Sequence, residues 1–481
     1  MLRLISNSSL LYSLLISLVC FWAVSCEREQ QAPPPNVVLI YVDDMGWKDL
    51  GFMGSRYYET PHIDSLARMG MVFRHGYAPA ANCAPSRASL MTGLWTPRHG
   101  IYTVNSSERG ESRHRRLIPV QNATTLNRRH TVFPDLLQDK GYATCQAGKW
   151  HLSDDPVDYG FDLSIGGTRA GHPRSYYPPY GNVPLQGEHY LTDLIMDHTL
   201  KFVDTVQSPF LLYYSPYAVH TPLHPVRDLL PKYESKSTWN GQGNAAYGTM
   251  VENLDRNIGR LISGLKKKGV FDRTVIVFTS DNGGLYGITT QQPLRAGKGS
   301  YYEGGIRIPF FVVWPGSVAP GTGSEVAVAP LDLFPTLMEL TGGSPGAGTP
   351  DAEKLNLDGI SLVPLLLRKE EGMERSLFWH FPVYLQAYNA AQNENRDSLF
   401  RTRPGSVIRK GVWKLHYYFE DDGTELYHLG VDPGERNNLA DREDGKREEL
   451  MGELREWWEE TGAPIPREPN PEFVPYPPSQ P

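Results

Sequence analysis

Two short apolar runs, far apart in the chain, end in the same kind of residue. Residues 36–42 lead from Asn36 through Val37, Val38, Leu39, Ile40 and Tyr41 to Val42, then straight into Asp43, Asp44, Met45 and Gly46; residues 274–280 lead into Asp281, Asn282, Gly283 and Gly284. A β-branched run without polar alternation is apolar on both faces, so it suits a strand covered by helices on each side, as in a parallel sheet. In such sheets ligands gather beyond the carboxyl ends of the strands, which predicts that both acidic clusters share one edge. Residues 210–215 and 309–314 read as further strands of that sheet. Between strands, Tyr247, Met250, Val251, Leu254, Ile258, Leu261, Ile262 and Leu265 form one stripe at helical spacing, closed by Lys266 to Lys268 and a Gly269 cap. The alternation predicts an α/β domain.

The chain has 481 residues with a net charge of −7, and 40% hydrophobic and 11% aromatic residues. Those values exclude a disordered, collagenous or coiled-coil chain. The mild negative balance without basic runs argues against sustained nucleic-acid binding. Gly342 to Pro350 is rich in Gly and Pro and marks a loop near the end of the large domain, placed at 36–372. Beyond it the texture changes to Trp, Tyr and short alternating runs such as 412–418, which predicts a small C-terminal α+β subdomain over 373–463 with an antiparallel sheet. Its last helix carries Leu450, Leu454, Trp457 and Trp458 on one face. Residues 464–481 form a Pro-rich tail.

Residues 1–25 read as an export signal, because the apolar run from Leu10 to Val24 is short for a span of about 20 residues and a polar, Pro-rich linker (26–35) follows. Ala23-Val24-Ser25-Cys26 resembles the lipobox of bacterial lipoproteins, although Ala23 stands where Leu is usual; Cys26 is then a lipidation candidate. A periplasmic or cell-surface location follows, with membrane contact only through that anchor. Cys20 and Cys26 belong to the signal, which leaves Cys83 and Cys145 for the folded part. One disulfide between them is compatible with export. Cys145 otherwise reads as a small buried residue on a strand.

Asp43, Asp44, Asp281 and Asn282 would together offer three carboxylates and an amide oxygen, a hard-oxygen cage for Ca²⁺ or Mg²⁺ if they converge. Singly, each pair is an ordinary strand-end turn or helix cap. Cys83-Ala84-Pro85-Ser86-Arg87, followed by Leu90, Thr92 and Gly93, is the most specific segment. By residue type alone it is either a buried cysteine ahead of a helix or a thiolate activated by the helix N-terminus and Arg87.

That segment resembles the signature of type I sulfatases, members of the alkaline-phosphatase-like superfamily, in which the cysteine is oxidised to formylglycine (3-oxoalanine) before folding. The likeness continues through Asp43-Asp44-x-Gly46, Gly148-Lys149-Trp150-His151, His220-x-Pro222, Asp281-Asn282-Gly283, Lys298 and Glu303-Gly304-Gly305-x-Arg307, in the family's order. Asp358-Gly359-x-Ser361-Leu362 and Trp413-Lys414-Leu415 look like its C-terminal hallmarks. The resemblance implies a large domain with a mixed, mostly parallel sheet sandwiched by helices. It also implies that Asp43, Asp44, Asp281 and Asn282, with residue 83, hold Ca²⁺, with Mg²⁺ as the alternative. One hydroxyl of hydrated formylglycine would attack sulfur, and His220 or Lys298 would protonate the leaving alcohol. His151 would take the proton of the second hydroxyl, so that sulfate is expelled and the aldehyde reforms. Arg87 and Lys149 would hold the residue-83 oxygens, and Lys149, Lys298 and His220 would surround the sulfate. Arg307 is expected to pair with a structural carboxylate.

Export favours an extracellular sulfated glycan as substrate, and the resemblance implies a formylglycine-generating maturation enzyme as a partner. Residues 105–116, with Glu108, Arg109 and Arg113, and 169–180, with His172, Arg174, Tyr176 and Tyr177, are candidates for reading the sugar. His380 is a further candidate reaching across from the small subdomain. Two other functions compete: a phosphomonoester or phosphonate hydrolase of the same superfamily, which generally centres on Thr or Ser, and a surface glycan-binding lipoprotein without turnover.

Overall fold

A computed structural model describes residues 34–207, 209–342, 355–369, 372–389 and 394–475. The expected signal, the lipidation candidate Cys26 and most of the linker lie outside the described residues. Residues from Pro35 onward form one compact unit. Its large sheet has nine strands: β1 (Asn36–Val42), β2 (Met71–Tyr77), β3 (Ala143–Gly148), β4 (Leu163–Ile165), β5 (Phe210–Ser215), β6 (Thr274–Ser280), β7 (Arg307–Ile308), β8 (Phe310–Val313) and β9 (Thr322–Val328). The spatial order is β4-β3-β5-β1-β6-β8-β2-β7, with β9 beside β2. From β4 to β6 every pairing is parallel; β8 runs antiparallel to β6 and β2, and β7 antiparallel to β2, so the sheet is mixed and mostly parallel.

The apolar runs are two-sided in space, as their composition demands. Val38, Ile40 and Val42 pack into one core with Leu191–Thr205 and Ala245–Lys268; Val37, Leu39 and Tyr41 pack into another with Cys83–Thr92 and Leu333–Leu340. Helix Ala245–Lys268 begins at Asn244, whose side chain accepts from the Tyr247 N–H, and ends at Gly269 with φ of 76°, after Lys266 to Lys268 in its last turn. The stripe expected on it is buried except for Ile262, which packs at the margin.

Register does the placing. Val42 lies beside Ser280 across β1 and β6, and Gly148 beside Ser215 across β3 and β5. Asp43, Asp281 and Lys149, each one residue past a strand end, therefore emerge on one edge. Gly148 is required there: its φ is +108°, and a Cβ would lie 2.0 Å from the Ser215 carbonyl oxygen.

The second sheet is antiparallel. Strand β10 (Ser376–Phe381) precedes a short hairpin, β11 (Leu385–Gln386) with β12 (Phe400–Thr402), and then come β13 (Gly405–Lys410), β14 (Trp413–Tyr418) and β15 (Gly423–His428), in the order β10-β13-β14-β15. Helix Asp444–Thr461 covers it with Leu450, Met451, Leu454 and Trp457. The two sheets are joined by buried charge. Lys414 Nζ lies 3.0 Å from Glu303 Oε1 and 3.0 Å from Glu435 Oε1, while Tyr77 donates to Glu303 at 2.8 Å. Arg307 also meets Glu303, at 3.6 Å, as the pairing expectation has it.

His380 corrects an expectation. It is buried in β10, with Nδ1 at 2.7 Å from Ser406 Oγ and Nε2 at 2.9 Å from the Pro464 carbonyl. Both ring nitrogens are spent inside the small subdomain, so it is a core histidine and offers nothing to a substrate.

Burial pulls the His380 pKa down to about 4 and that of His99 to about 3. Both stay neutral in the fold while the unfolded chain takes up protons below about 6.5. Stability is therefore full above about pH 6.5 and is lost as pH falls toward 4. Scanning calorimetry from pH 7 to 4.5 should show Tm declining, and His380→Gln should make that decline shallower; an equal slope would contradict the assignment.

Candidate active site

Cys83 is the first residue of helix Cys83–Thr92, all ten residues of which are buried. The helix ends at Gly93, in the left-handed region with φ of 68°. The Gly93 carbonyl receives the Asp358 N–H at 3.0 Å, and the Asp358 carboxylate receives the Trp95 N–H and the Arg98 guanidinium. The distant Asp358-Gly359 motif thus braces the far end of the helix that carries residue 83.

Five other segments of chain converge around Cys83, carrying Asp43 and Asp44, Lys149 and His151, His220, Asp281 and Asn282, and Lys298. Arg87, one turn along its own helix, is fully buried and sends Nε and Nη2 to Asp281 Oδ2 at 3.0 and 2.8 Å, and Nη1 to the Lys149 carbonyl, Tyr213 and Ser215. Asp281 Oδ1 accepts the Asp44 N–H at 3.1 Å. Lys149 Nζ lies 2.8 Å from both Asp43 oxygens, and Lys298 Nζ lies 2.8 Å from Asp44 Oδ2. Asn282 donates Nδ2 to Asp44 Oδ1 at 2.8 Å, while its Oδ1 is buried without a donor. Asp44 and His151 both hold positive φ, 59° and 68°. Backbone strain in non-glycine residues is kept only where surrounding contacts impose it.

The cations set the site's polarity. Burial would raise the Cys83 thiol, but Lys149 and Lys298, with hydrogen bonds from His151 and His220, outweigh it and hold its pKa well below the ordinary value. The pocket is built to carry negative charge at residue 83. Burial raises Asp43 to about 7 against the pull of Lys149 and His220. Burial would also raise Asp44, but Lys298 and His220 prevail and lower it. Burial lowers His151 to about 4, so it is neutral at pH 7. In His220, burial and Lys298 are overcome by Asp44 and Asp43, and the pKa rises. Its Nδ1 faces the Thr221 carbonyl at 2.6 Å and its Nε2 faces Asp44 at 3.5 Å.

One donor atom from each of Asp43, Asp44, Cys83 and His220 lies within 4.8 Å of the others. Asp281 and Asn282 adjoin that group through Asp44. Three buried carboxylates and an amide oxygen lacking a donor fit a hard divalent cation. Sulfur and imidazole are softer donors, so the fit improves once an oxygen replaces Sγ.

Comparison with known proteins agrees with this geometry. The sulfatase family model matches residues 35–344, and that for the C-terminal part of N-sulphoglucosamine sulphohydrolase matches residues 297–461. The chain belongs to the sulfatase family. It is 31% identical to a sulfatase of Formosa agariphila over 97% of this chain and 96% of that one, and 31% identical to N-acetylgalactosamine-6-sulfatase of Mus musculus over 87% and 84%. The crystal structure of Ps i-CgsB in complex with k-i-k-neocarrahexaose superposes with a TM-score of 0.71 at 28% identity, covering 88% of this chain and 92% of that chain. The α/β architecture and the second antiparallel sheet are accordingly those of an alkaline-phosphatase-like sulfatase.

In this sulfatase the sugar-reading candidates separate. Asn105, Ser106, Ser107 and Glu108 line a cleft of about 680 Å³ that reaches Ala84 and His151, with Arg169 on its rim. His172 is exposed and stacks on His220, ring centroids 5.7 Å apart. Arg174 is exposed beside Gly181, and Arg113 is paired with Glu111 at 2.7 Å. Arg109 is held by the Val104 carbonyl. Tyr176 is buried and donates to the carbonyls of Tyr217 and His220, so it braces the loop that carries His220 instead of reading a ligand. Cys145 is buried and, like Cys83, free of any disulfide. Tyr213 and Ser215, the partners of Arg87, escaped sequence reasoning; hydroxyls inside a fully buried strand were their signal.

Proposed function

We propose that this sulfatase removes sulfate from a sulfated carbohydrate outside the cytoplasm, using residue 83 after its conversion to formylglycine. The observation that carries the reading is the buried residue 83 ringed by Arg87, Lys149 and Lys298, with His151 and His220 in hydrogen-bonding range. The sugar class is supported by the sugar sulfatase named among the relatives and by the carbohydrate-bound neighbour. Export with lipidation at Cys26 rests on the N-terminal sequence, and no helix among the described residues is long and apolar enough to cross a membrane.

Ca²⁺ would be held by Asp43, Asp44, Asp281 and Asn282, supplying Lewis-acid polarisation of a sulfate oxygen and of residue 83. The hydrated aldehyde offers what a thiol or hydroxyl lacks, a nucleophilic oxygen beside a second one that can later release the sulfate. The protein's own groups divide the remaining work. His151 is neutral at pH 7 and touches residue 83, so it takes the proton from the second oxygen. Asp44 and Asp43 raise the His220 pKa and favour its protonated form, and its Nε2 is the proton source for the departing alcohol. Lys298 is pushed further up: burial is overcome by Asp44 and residue 83, so it keeps its proton and offsets the sulfate charge instead. Arg87 fixes Asp281, and Lys149 fixes Asp43. The Cys83 signature and the match to the sulfatase family favour sulfate esters over phosphate and phosphonate esters.

Three tests follow from these assignments. Mass spectrometry of the peptide carrying residue 83, made in a host with the maturation machinery, should show the aldehyde or its hydrate, and Cys83→Ala should fold without turnover; a thiol in an active sample would refute the mechanism. His220→Asn should lower kcat by about 10²–10⁴-fold on alkyl sulfates and far less on 4-nitrophenyl sulfate, whose oxygen leaves without a proton. Equal losses would remove His220 from the acid role. Exhaustive chelation should inactivate, with Ca²⁺ restoring activity better than Zn²⁺; preferential recovery with Zn²⁺ would speak against an oxygen cage.

A further inference from the structure

His151 and Lys298 open onto different hollows. His151 faces the cleft lined by Glu108 and Arg169, whereas Lys298 borders a hollow formed with Tyr286, Tyr388 and Arg401. Arg401 comes from β12 and Tyr388 follows β11, so this wall is contributed by the C-terminal hairpin. Arg401 donates Nε to the Gln386 carbonyl at 3.0 Å and Nη1 to the Lys298 carbonyl at 3.1 Å, which fixes its plane against the loop that carries Lys298. The guanidinium carbon lies 3.4 Å from the centroid of the Tyr388 ring. The ring is thus backed by a cation, yet Tyr388 remains 62% exposed.

A lone exposed aromatic is normal on a protein surface. This one differs in being held by a buttressed arginine and in facing the same hollow as a cation of the active site. His220 and Lys298 both lie against Asp44, at 3.5 and 2.8 Å, so the hollow beside Lys298 adjoins the cations that flank residue 83. Tyr388 stands in the wall of that hollow.

We propose that Tyr388, buttressed by Arg401, is the platform on which the pyranose ring bearing the sulfate ester stacks, making the C-terminal hairpin a specificity determinant of the sulfatase. The inference rests on the carbohydrate reading above. An apolar sugar face against a tyrosine ring buries area at little cost in conformational entropy, and the arginine behind the ring holds it in one orientation. Arg401 acts through Tyr388 and is a positioning residue.

The test uses the full chain carrying Cys83→Ala, which binds without cleaving, titrated calorimetrically with a panel of sulfated monosaccharides and oligosaccharides. Adding Tyr388→Ala should weaken the tightest of them by tenfold or more, Tyr388→Phe should stay within threefold, and Arg401→Gln should fall between. In matured enzyme, Tyr388→Ala should raise KM for the same saccharide with a smaller change in kcat. Affinity within twofold for Tyr388→Ala would overturn the platform while leaving the carbohydrate reading intact. If the parent binds no saccharide of the panel while matured enzyme hydrolyses 4-nitrophenyl sulfate, the carbohydrate reading fails and the platform with it.

Discussion

Charge compensation in a dry place governs this molecule. Asp43, Asp44 and Asp281 are almost wholly withdrawn from water at one sheet edge, and Arg87, Lys149 and Lys298 are withdrawn with them. Each carboxylate has its own cation: Lys149 on Asp43, Lys298 on Asp44, Arg87 on Asp281. Removing one member of such a set leaves an uncompensated buried charge, at a cost of about 3–5 kcal/mol. The arrangement tolerates little rearrangement, and the rigidity is useful, since preorganised charge needs no reorientation when an anionic ester arrives.

The scaffold delivers those six groups with few degrees of freedom. Parallel strands in register end together, so one residue beyond each end suffices to bring Asp43, Asp281 and Lys149 into contact range. Arg87 arrives from a helix packed beneath, and Lys298 from a loop held on two sides: Gly299 donates its N–H to the Ala81 carbonyl, and Arg401 of the β11–β12 hairpin donates to the Lys298 carbonyl. The hairpin is therefore part of the architecture that places Lys298. The four-stranded sheet beside it is attached ionically, through Lys414, Glu303 and Glu435.

Much of this was readable in the sequence because the relevant signals are local. Strands β1, β5 and β6 match their apolar runs residue for residue, and the Lys-rich, Gly-capped helix ends at Gly269. The acidic clusters could be placed on one edge because strand direction follows from two-sided burial. Pairings between remote segments were not legible. The motifs around Glu303 and Lys414 were visible as hallmarks, but nothing local says that they neutralise each other across the two sheets. His380 misled for the same reason: a histidine among aromatics reads alike whether its nitrogens face a substrate or, as here, Ser406 and Pro464. Tyr388 and Arg401 drew no notice, since their meaning comes only from adjacency to Lys298.

The burial of residue 83 has a temporal consequence. Its side chain lies at the start of a helix whose every residue is buried, beside the cleft that reaches Ala84, so a second enzyme that must grip the surrounding backbone would have to act before the fold closes. Conversion of the cysteine, as proposed, then competes with folding on a single clock. Molecules that collapse first are locked out as native-looking, inert copies. Specific activity of any preparation would report the outcome of that race, not the quality of the folded protein.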